Sequence, residues 1–232
     1  METLVLLLVV LGLFILIALA SFFAFIAIRS KTHEQIRPHQ RPSGPHGPQP
    51  YVGELANEGE AKVHYVLASL FPESNYSHLI SGVYLRSKKG RLPQIDHILI
   101  NERGVFVIET KDWNGVVRGT EQDDEWIQIR EDGSEEHLKN PLNQNAYHAR
   151  AVKDWVSSIT DPIAVVIMVK NNKPFNTYDS DSEDERVSYL INFDEMREFF
   201  LDFDPCLSPD QIETCRRNLM SKITMNKGLH SS

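Results

Sequence analysis

The chain has 232 residues, 32 acidic against 24 basic, a formal net charge of −8 and two cysteines. That length supports one ordinary domain with additions. The negative balance excludes a protein that coats nucleic acid through bulk positive charge, two cysteines exclude a disulfide scaffold, and a 41% hydrophobic content excludes general disorder.

Residues 3–28 carry no charge and consist mostly of Leu, Val, Ile, Phe and Ala. As a helix they would measure roughly 39 Å, enough to cross a hydrocarbon core of about 30 Å with some tilt. A single transmembrane helix is therefore expected. A cleaved signal peptide is the alternative, with Ala18-Leu19-Ala20 before Ser21 as the cleavage site. Against it, the first residues read Met-Glu-Thr without Lys or Arg, and the apolar run continues through Phe22, Phe23, Phe25, Ile26 and Ile28. Arg29, Lys31, Arg37 and Arg41 follow the run. The positive-inside rule then anchors the chain in the cell membrane with its remainder in the cytoplasm, where Cys206 and Cys215 stay reduced. Residues 29–50 read as a linker of polyproline character, with Pro38, Pro42, Pro45, Pro48 and Pro50 among Gly, His and Gln.

A globular domain is expected over residues 51–225. Helical spacing of Leu55, Val63, Val66, Leu67 and Leu70 predicts a helix over 54–71, ended by Phe71-Pro72. Residues 81–85 make a short strand. Residues 95–100 and 105–110 are the most strand-like stretches, joined by Asn101-Glu102-Arg103-Gly104 as a four-residue turn. Residues 126–130 suggest another strand, 143–159 a helix, 163–169 a strand buried on both faces, and 187–191 a last strand. Helices over 194–201 and 208–223 close the domain. This order is an α/β or α+β pattern with one mixed sheet. Residues 179–185 hold five carboxylates but lack the glycine and distal glutamate of an EF-hand loop, so they read as an exposed acidic loop. No phosphate-binding glycine loop, HExxH, GxSxG or paired CxxC occurs.

Chemistry concentrates between Pro93 and Lys111. With Ile100 facing Val105 across the turn, Asp96 falls opposite Glu109, to within one residue of register. Glu109 and Lys111, two apart on a strand, project to one face. Two carboxylates about 5 Å apart repel unless positive charge lies between them. A divalent cation is one answer, with hard oxygen ligands and positions left for water and phosphate. Lys111 would then position water or offset charge on a phosphoryl oxygen. A plain Lys111–Glu109 salt bridge is the other answer. The flanking strands are apolar on both faces, which argues for a covered position where charges need partners. His97 alternates to the opposite face and reads as a packing residue. Arg86, Lys88, Lys89 and Arg91 are the only local basic cluster, read either as a guide for a phosphate backbone or as a solvated loop.

Gln94-Ile-Asp96-His, then Gly104-Val-Phe-Val-Ile-Glu109-Thr-Lys111, then Trp113-Asn-Gly115 resembles the nuclease-related domain (NERD) family, a branch of the PD-(D/E)xK restriction-endonuclease-like nucleases. Gly59-Glu60 upstream and Asn140-Pro-Leu-Asn-Gln144 downstream match that family's Gly-Glu and Asn-Pro-x-x-Gln elements in order. The resemblance spans roughly residues 53–170 and implies a mixed central sheet flanked by helices. It implies a Mg²⁺ or Mn²⁺ site on Asp96 and Glu109, completed by Glu60 often through water. It also implies Lys111 as catalytic lysine and Gln144 as the residue that orients substrate or water. Glu60 otherwise reads as a first-turn glutamate favoured by the helix dipole, and Gln144 as a helix cap. Trp113 and Gly115 read as turn-forming. Pro93 stands three residues before Asp96, where the nuclease signature usually has it adjacent. The functional expectation is a membrane-anchored nuclease acting on DNA. The alternative is a catalytically silent, membrane-tethered nucleic-acid-binding or scaffold module of the same fold.

Overall fold

The computed structural model describes residues 51–53, 55–174 and 188–224. The chain divides into two units, residues 1–45 and 46–232, and all described residues belong to the second. The expected membrane helix over 3–28, the linker over 29–50 and the acidic loop over 179–185 lie outside the described residues. Among those described, no helix is long and apolar enough to cross a membrane.

Strand β1 (Tyr51–Val52) is followed by helix α1 (Glu58–Leu70) and then by β2 (Ser77–Leu85), β3 (Gln94–Asn101) and β4 (Gly104–Lys111) as an antiparallel run. The β3–β4 register runs from Asn101↔Gly104 to His97↔Ile108, as expected from the turn, but the loop itself is only Glu102-Arg103. Asn101 forms one more ladder pair than expected, and its side-chain oxygen accepts from Arg103 N at 2.8 Å. Eight apolar side chains of β3 and β4 are fully buried: Ile95, Ile98, Leu99, Ile100, Val105, Phe106, Val107 and Ile108. Each such burial is worth about 1.5–3 kcal/mol. This pair is therefore the anchor on which the charged residues at its open end are carried.

Beyond β4 the chain leaves the sheet to form a three-stranded antiparallel meander, β5 (Val116–Arg118), β6 (Glu125–Ile129) and β7 (Glu135–Lys139). It returns as helix α2 (Pro141–Val156) and re-enters as β8 (Ile163–Met168), parallel to β4. Strand β9 (Tyr189–Asn192) lies parallel outside β8. A 3₁₀ turn (Phe193–Glu195), helices α3 (Met196–Asp202) and α4 (Pro209–Met220), and a short β10 (Ile223–Thr224) antiparallel to β2 complete the domain. The central sheet has the order β1-β2-β3-β4-β8-β9, with β10 also paired to β2. The mixed sheet expected from the sequence is present. The helix expected to start at 54 begins at Glu58, because Asn57 caps it.

The sheet is covered on both faces. One core packs Val152 and Val156 of α2 and Ile212 and Leu219 of α4 on Ile98, Ile100, Val105 and Val107. The other packs Val63 and Leu67 of α1 and Met196 and Phe200 of α3 on Leu99, Phe106, Ile108, Val165 and Ile167. Alternation is broken once, in β2 and β3 together. Ile80 and Val83, and likewise Ile95 and Ile98, point into the same core although each pair is three residues apart. Ser81 pairs with His97 and Val83 with Ile95, while Gly82 and Asp96 between them form no pair. Gly82 has φ +62°, a left-handed value that other residues adopt only at a cost. The two strands thus change phase where Asp96 sits, which frees its carboxylate from the regular side-chain pattern.

Candidate active site

The site forms at the end of β3 and β4, where the meander begins and α1 and α2 both start. Asn57 accepts from Glu60 N at 3.0 Å, and Glu60 answers by accepting from Ala56 N at 2.8 Å and from the Asn57 amide at 2.9 Å. Glu60 is 4% exposed. Gly59 lets this helix end approach the sheet, because a β-carbon there would lie 2.7 Å from Cβ of Asp112. The Gly-Glu element therefore has a steric half and a capping half.

On the other side, Asn140 is almost fully buried and fixes the start of α2. Its side-chain oxygen accepts from Leu142 N at 2.9 Å, while its amide donates to Asp123 O at 2.7 Å and Thr120 O at 3.2 Å. Pro141 follows in the first turn, where its missing N–H is not needed. Asn145 ties the same helix to the sheet, donating to Val107 O at 2.9 Å and Val165 O at 2.8 Å. Capping thus falls to Asn140, and Gln144 is free to point at the strand ends.

Glu109, Lys111 and Gln144 meet there directly. Lys111 Nζ donates to Glu109 Oε1 at 2.6 Å and to Gln144 Oε1 at 3.0 Å, and Gln144 Nε2 donates to Glu109 Oε1 at 2.8 Å. The ammonium also lies 5.6 Å from the centre of the Trp113 ring. Asp96 is alongside, its Oδ2 accepting from Thr110 N at 2.8 Å. It takes the place of a ladder partner just past His97↔Ile108. Glu60 approaches closely enough for its charge to act on Asp96, but its hydrogen bonds remain in the cap of α1.

His148, one turn beyond Gln144, is a site residue that the sequence reading missed. Its Nδ1 is 3.2 Å from Glu109 Oε2. Both atoms are buried, and neither has a further polar partner besides the other. The i, i+4 spacing from Gln144 on one helix face was the available signal. His97, by contrast, packs away from the carboxylates as expected. It is fully buried and shares the Ser81 hydroxyl, at 2.9 Å, with His64 of α1, also at 2.9 Å. Trp113 and Gly115 do shape a turn: the Asn172 amide donates to both carbonyls, at 2.8 and 2.9 Å, and a β-carbon on Gly115 would run into Ile129 O.

The electrostatics of the end are uneven. Burial, followed by the charges of Glu109 and Glu60, pushes the Asp96 carboxyl well above the usual range. Burial also raises Glu60. Burial acts upward on Glu109 as well, but the His148 ring and the Lys111 ammonium outweigh it and hold that carboxyl below the usual range. The cluster therefore crowds three carboxyl groups around one lysine, and burial together with that crowding raises Asp96. That crowding, a Glu109 Oε2 whose one polar approach is the His148 ring at 3.2 Å, and the hard oxygen donors of Asp96 and Glu109 fit a small divalent cation. Among the described residues, no three His, Cys, Asp or Glu side chains form a metal cage by themselves. A cation here would take its remaining positions from water and phosphate oxygens, a coordination habit typical of Mg²⁺.

Comparison with known proteins agrees with this geometry in extent. The family profile described as "nuclease-related domain" (NERD) matches residues 55–173, from α1 through β8. A protein of Bacillus anthracis described only as uncharacterised is 28% identical over 173 residues, covering 74% of this chain and 78% of its own length. No solved structure matches.

Proposed function

The chain belongs to the nuclease-related domain family, and on that premise we propose that it is a membrane-anchored nuclease that hydrolyses DNA phosphodiester bonds with Mg²⁺ or Mn²⁺. The observation that carries this reading is the Glu109 carboxylate, held by Lys111 and Gln144 beside a second buried acidic group, Asp96.

In this reading Asp96 and Glu109 would hold the cation, with Glu60 as a further carboxylate nearby. The cation, when bound, neutralises phosphate charge and makes water a better nucleophile at neutral pH. Lys111 lies where it can orient the attacking water or stabilise charge growing on a non-bridging phosphoryl oxygen. Gln144 both donates and accepts, and its present bonds to Glu109 and Lys111 fix both groups. The fully buried strands beneath keep these groups in place without reorganisation. The membrane anchor over residues 3–28 and the cytoplasmic placement rest on the uncharged run and the basic residues after it.

The test is incubation of the purified full-length chain, in nonionic detergent, with labelled DNA and Mg²⁺. Cleavage that Glu109→Ala abolishes is the expected result. Protease added to intact cells should leave the domain uncut, and its digestion without lysis would reverse the orientation. One observation favours a second reading, a tethered binding or scaffold module without turnover: Lys111 already pairs with Glu109 at 2.6 Å, so the carboxylate has an internal counterion. Metal binding without cleavage of any DNA substrate would select it.

A further inference from the structure

We infer that a single strand of DNA follows helix α2 away from the Glu109 end, passing Tyr147 and Arg91, and seats one nucleotide against Trp155 between Lys88 and Lys222. This path presupposes the phosphodiester reading of the Glu109 end and adds the form of the substrate and where it lies.

Gln144, Tyr147, His148, Ala151 and Trp155 fall on one side of α2, since their spacings of three, four, seven and eleven follow the helical repeat. His148 and Ala151 are buried against the sheet, so the strand runs along the half-buried edge of Gln144, Tyr147 and Trp155, beside the exposed Lys88 and Arg91. From Gln144 to Trp155 the helix rises about 16 Å. That length corresponds to about five stacked nucleotides, fewer if the strand is extended.

Two stations on this face pair an aromatic ring with cations. The Arg91 guanidinium lies 5.5 Å from the Tyr147 ring centre. Further on, Lys222 Nζ lies 4.9 Å and Lys88 Nζ 5.7 Å from the Trp155 ring centre. The indole is fixed in place, its Nε1 donating to Arg86 O at 2.9 Å. The loop that carries Lys88 is fixed as well, by Lys88 N donating to Asp154 at 2.9 Å and by Ser87 N donating to Arg91 O at 2.9 Å. Trp155, Lys88 and Lys222, with Asn218, three serines and Asp154, whose carboxylate accepts from Lys88 N, line a cavity of about 340 Å³. Ligand pockets begin at about this size.

Residues 86–91 carry four basic side chains and no acidic one, in a chain whose net charge is −8. Rings flanked by cations suit a single strand, because exposed bases stack on the rings while phosphates meet the ammonium and guanidinium groups. A duplex keeps its bases away from the rings. The position of the basic cluster, next to α2 and leading to Gln144, selects the guide reading over the solvated loop.

The experiment measures binding of fluorescein-labelled (dT)₁₂ to the full-length chain in nonionic detergent and EDTA, by anisotropy, over a range of salt. Lys88→Ser/Lys222→Ser should keep the wild-type melting temperature, weaken binding about tenfold, and reduce the salt slope by about 1.4, since each neutralised phosphate of a single strand contributes about 0.7. A three-nucleotide strand and a duplex of the same length should bind more weakly than (dT)₁₂. Equal affinity and slope in the variant, a preference for duplex, or competition by dTMP as effective as that by (dT)₁₂ would each overturn the path. So would the absence of any strand binding. Cleavage in Mg²⁺ is read separately on the same preparation. Lysine-dependent strand binding without cleavage leaves the path and removes the nuclease reading, whereas cleavage with binding indifferent to the lysines removes the path alone.

Discussion

Gln144 and Glu109, 35 residues apart in the chain, are joined by a hydrogen bond of 2.8 Å from the Gln144 amide to Glu109 Oε1. The same oxygen receives Lys111. One carboxylate oxygen is thus doubly held and the other, Oε2, faces only the His148 ring at 3.2 Å, so Glu109 has a fixed orientation.

Lys111→Met separates catalysis from scaffold. Loss of the ammonium should reduce Mg²⁺-dependent nicking about 10²-fold or more, as for other preorganised electrostatic groups. Because the Lys111 and Glu109 side chains are only 15% and 4% exposed, the same change should also lower stability, since a buried charge is left without its partner. Adding Glu109→Gln should recover much of the melting temperature but none of the activity. Thermal melts and plasmid nicking on wild type and the two variants check both halves.

Asp96→Asn should give effects of opposite sign with and without metal. Burial and the neighbouring Glu109 and Glu60 charges raise Asp96, so the folded state holds this proton more tightly than the unfolded chain. The associated stability is present at low pH and is lost as pH rises above the ordinary aspartate range. The metal-free variant should therefore melt higher than wild type at neutral pH, while its gain from Mg²⁺ or Mn²⁺ should shrink. A metal-induced shift unchanged in the variant would place the cation elsewhere.

His97 gives a prediction in acid. Burial, with His64 nearby, brings its pKa from 6.5 down to about 3. Below pH 6.5 the unfolded chain takes up a proton that the folded one refuses, so stability is full above that value and falls as the pH drops toward 3. The slope for this group is about 1.4 kcal/mol per pH unit. His97→Gln should flatten the loss between pH 6 and 4, as read by urea unfolding at several pH values.

The two thiols should behave differently. Cys206 is exposed, while Cys215 is buried in the core and pushed up to about 11 by that burial. A thiol reagent at pH 8 should label one cysteine per chain at once and the second only after unfolding.

The sheet was legible where burial on both faces forced long aliphatic runs, as in Ile95–Ile100 and Val105–Ile108, and the short loop after Asn101 gave the register. The meander was mostly illegible. Strand β7 reads Glu-Glu-His-Leu-Lys, with every second residue exposed and no aliphatic alternation to betray it, and β10 has two residues that form a strand only because the edge of β2 accepts them. The phase change at Gly82 could have been suspected from a glycine inside a strand, but its partner, Asp96, carries no such mark. The acidic and basic site residues were recognised by motif. Their contacts depend on where α2 begins, which Asn140 decides through carbonyls of residues 120 and 123 that no periodicity reveals.

The meander also divides the site in the chain without dividing it in space. Lys111 precedes it and Gln144 follows it, while the hairpin tip over residues 131–134 is exposed at the far end of β6 and β7. Exposed tips of this kind are where backbones tolerate interruption. A peptide tag or a small fluorescent domain inserted after Asp132 would therefore ride on the meander, and new chain ends opened there would leave both halves of the carboxylate–lysine–glutamine cluster attached to the folded body. The tip is thus a ready attachment point for a reporter, independent of the chain's natural ends.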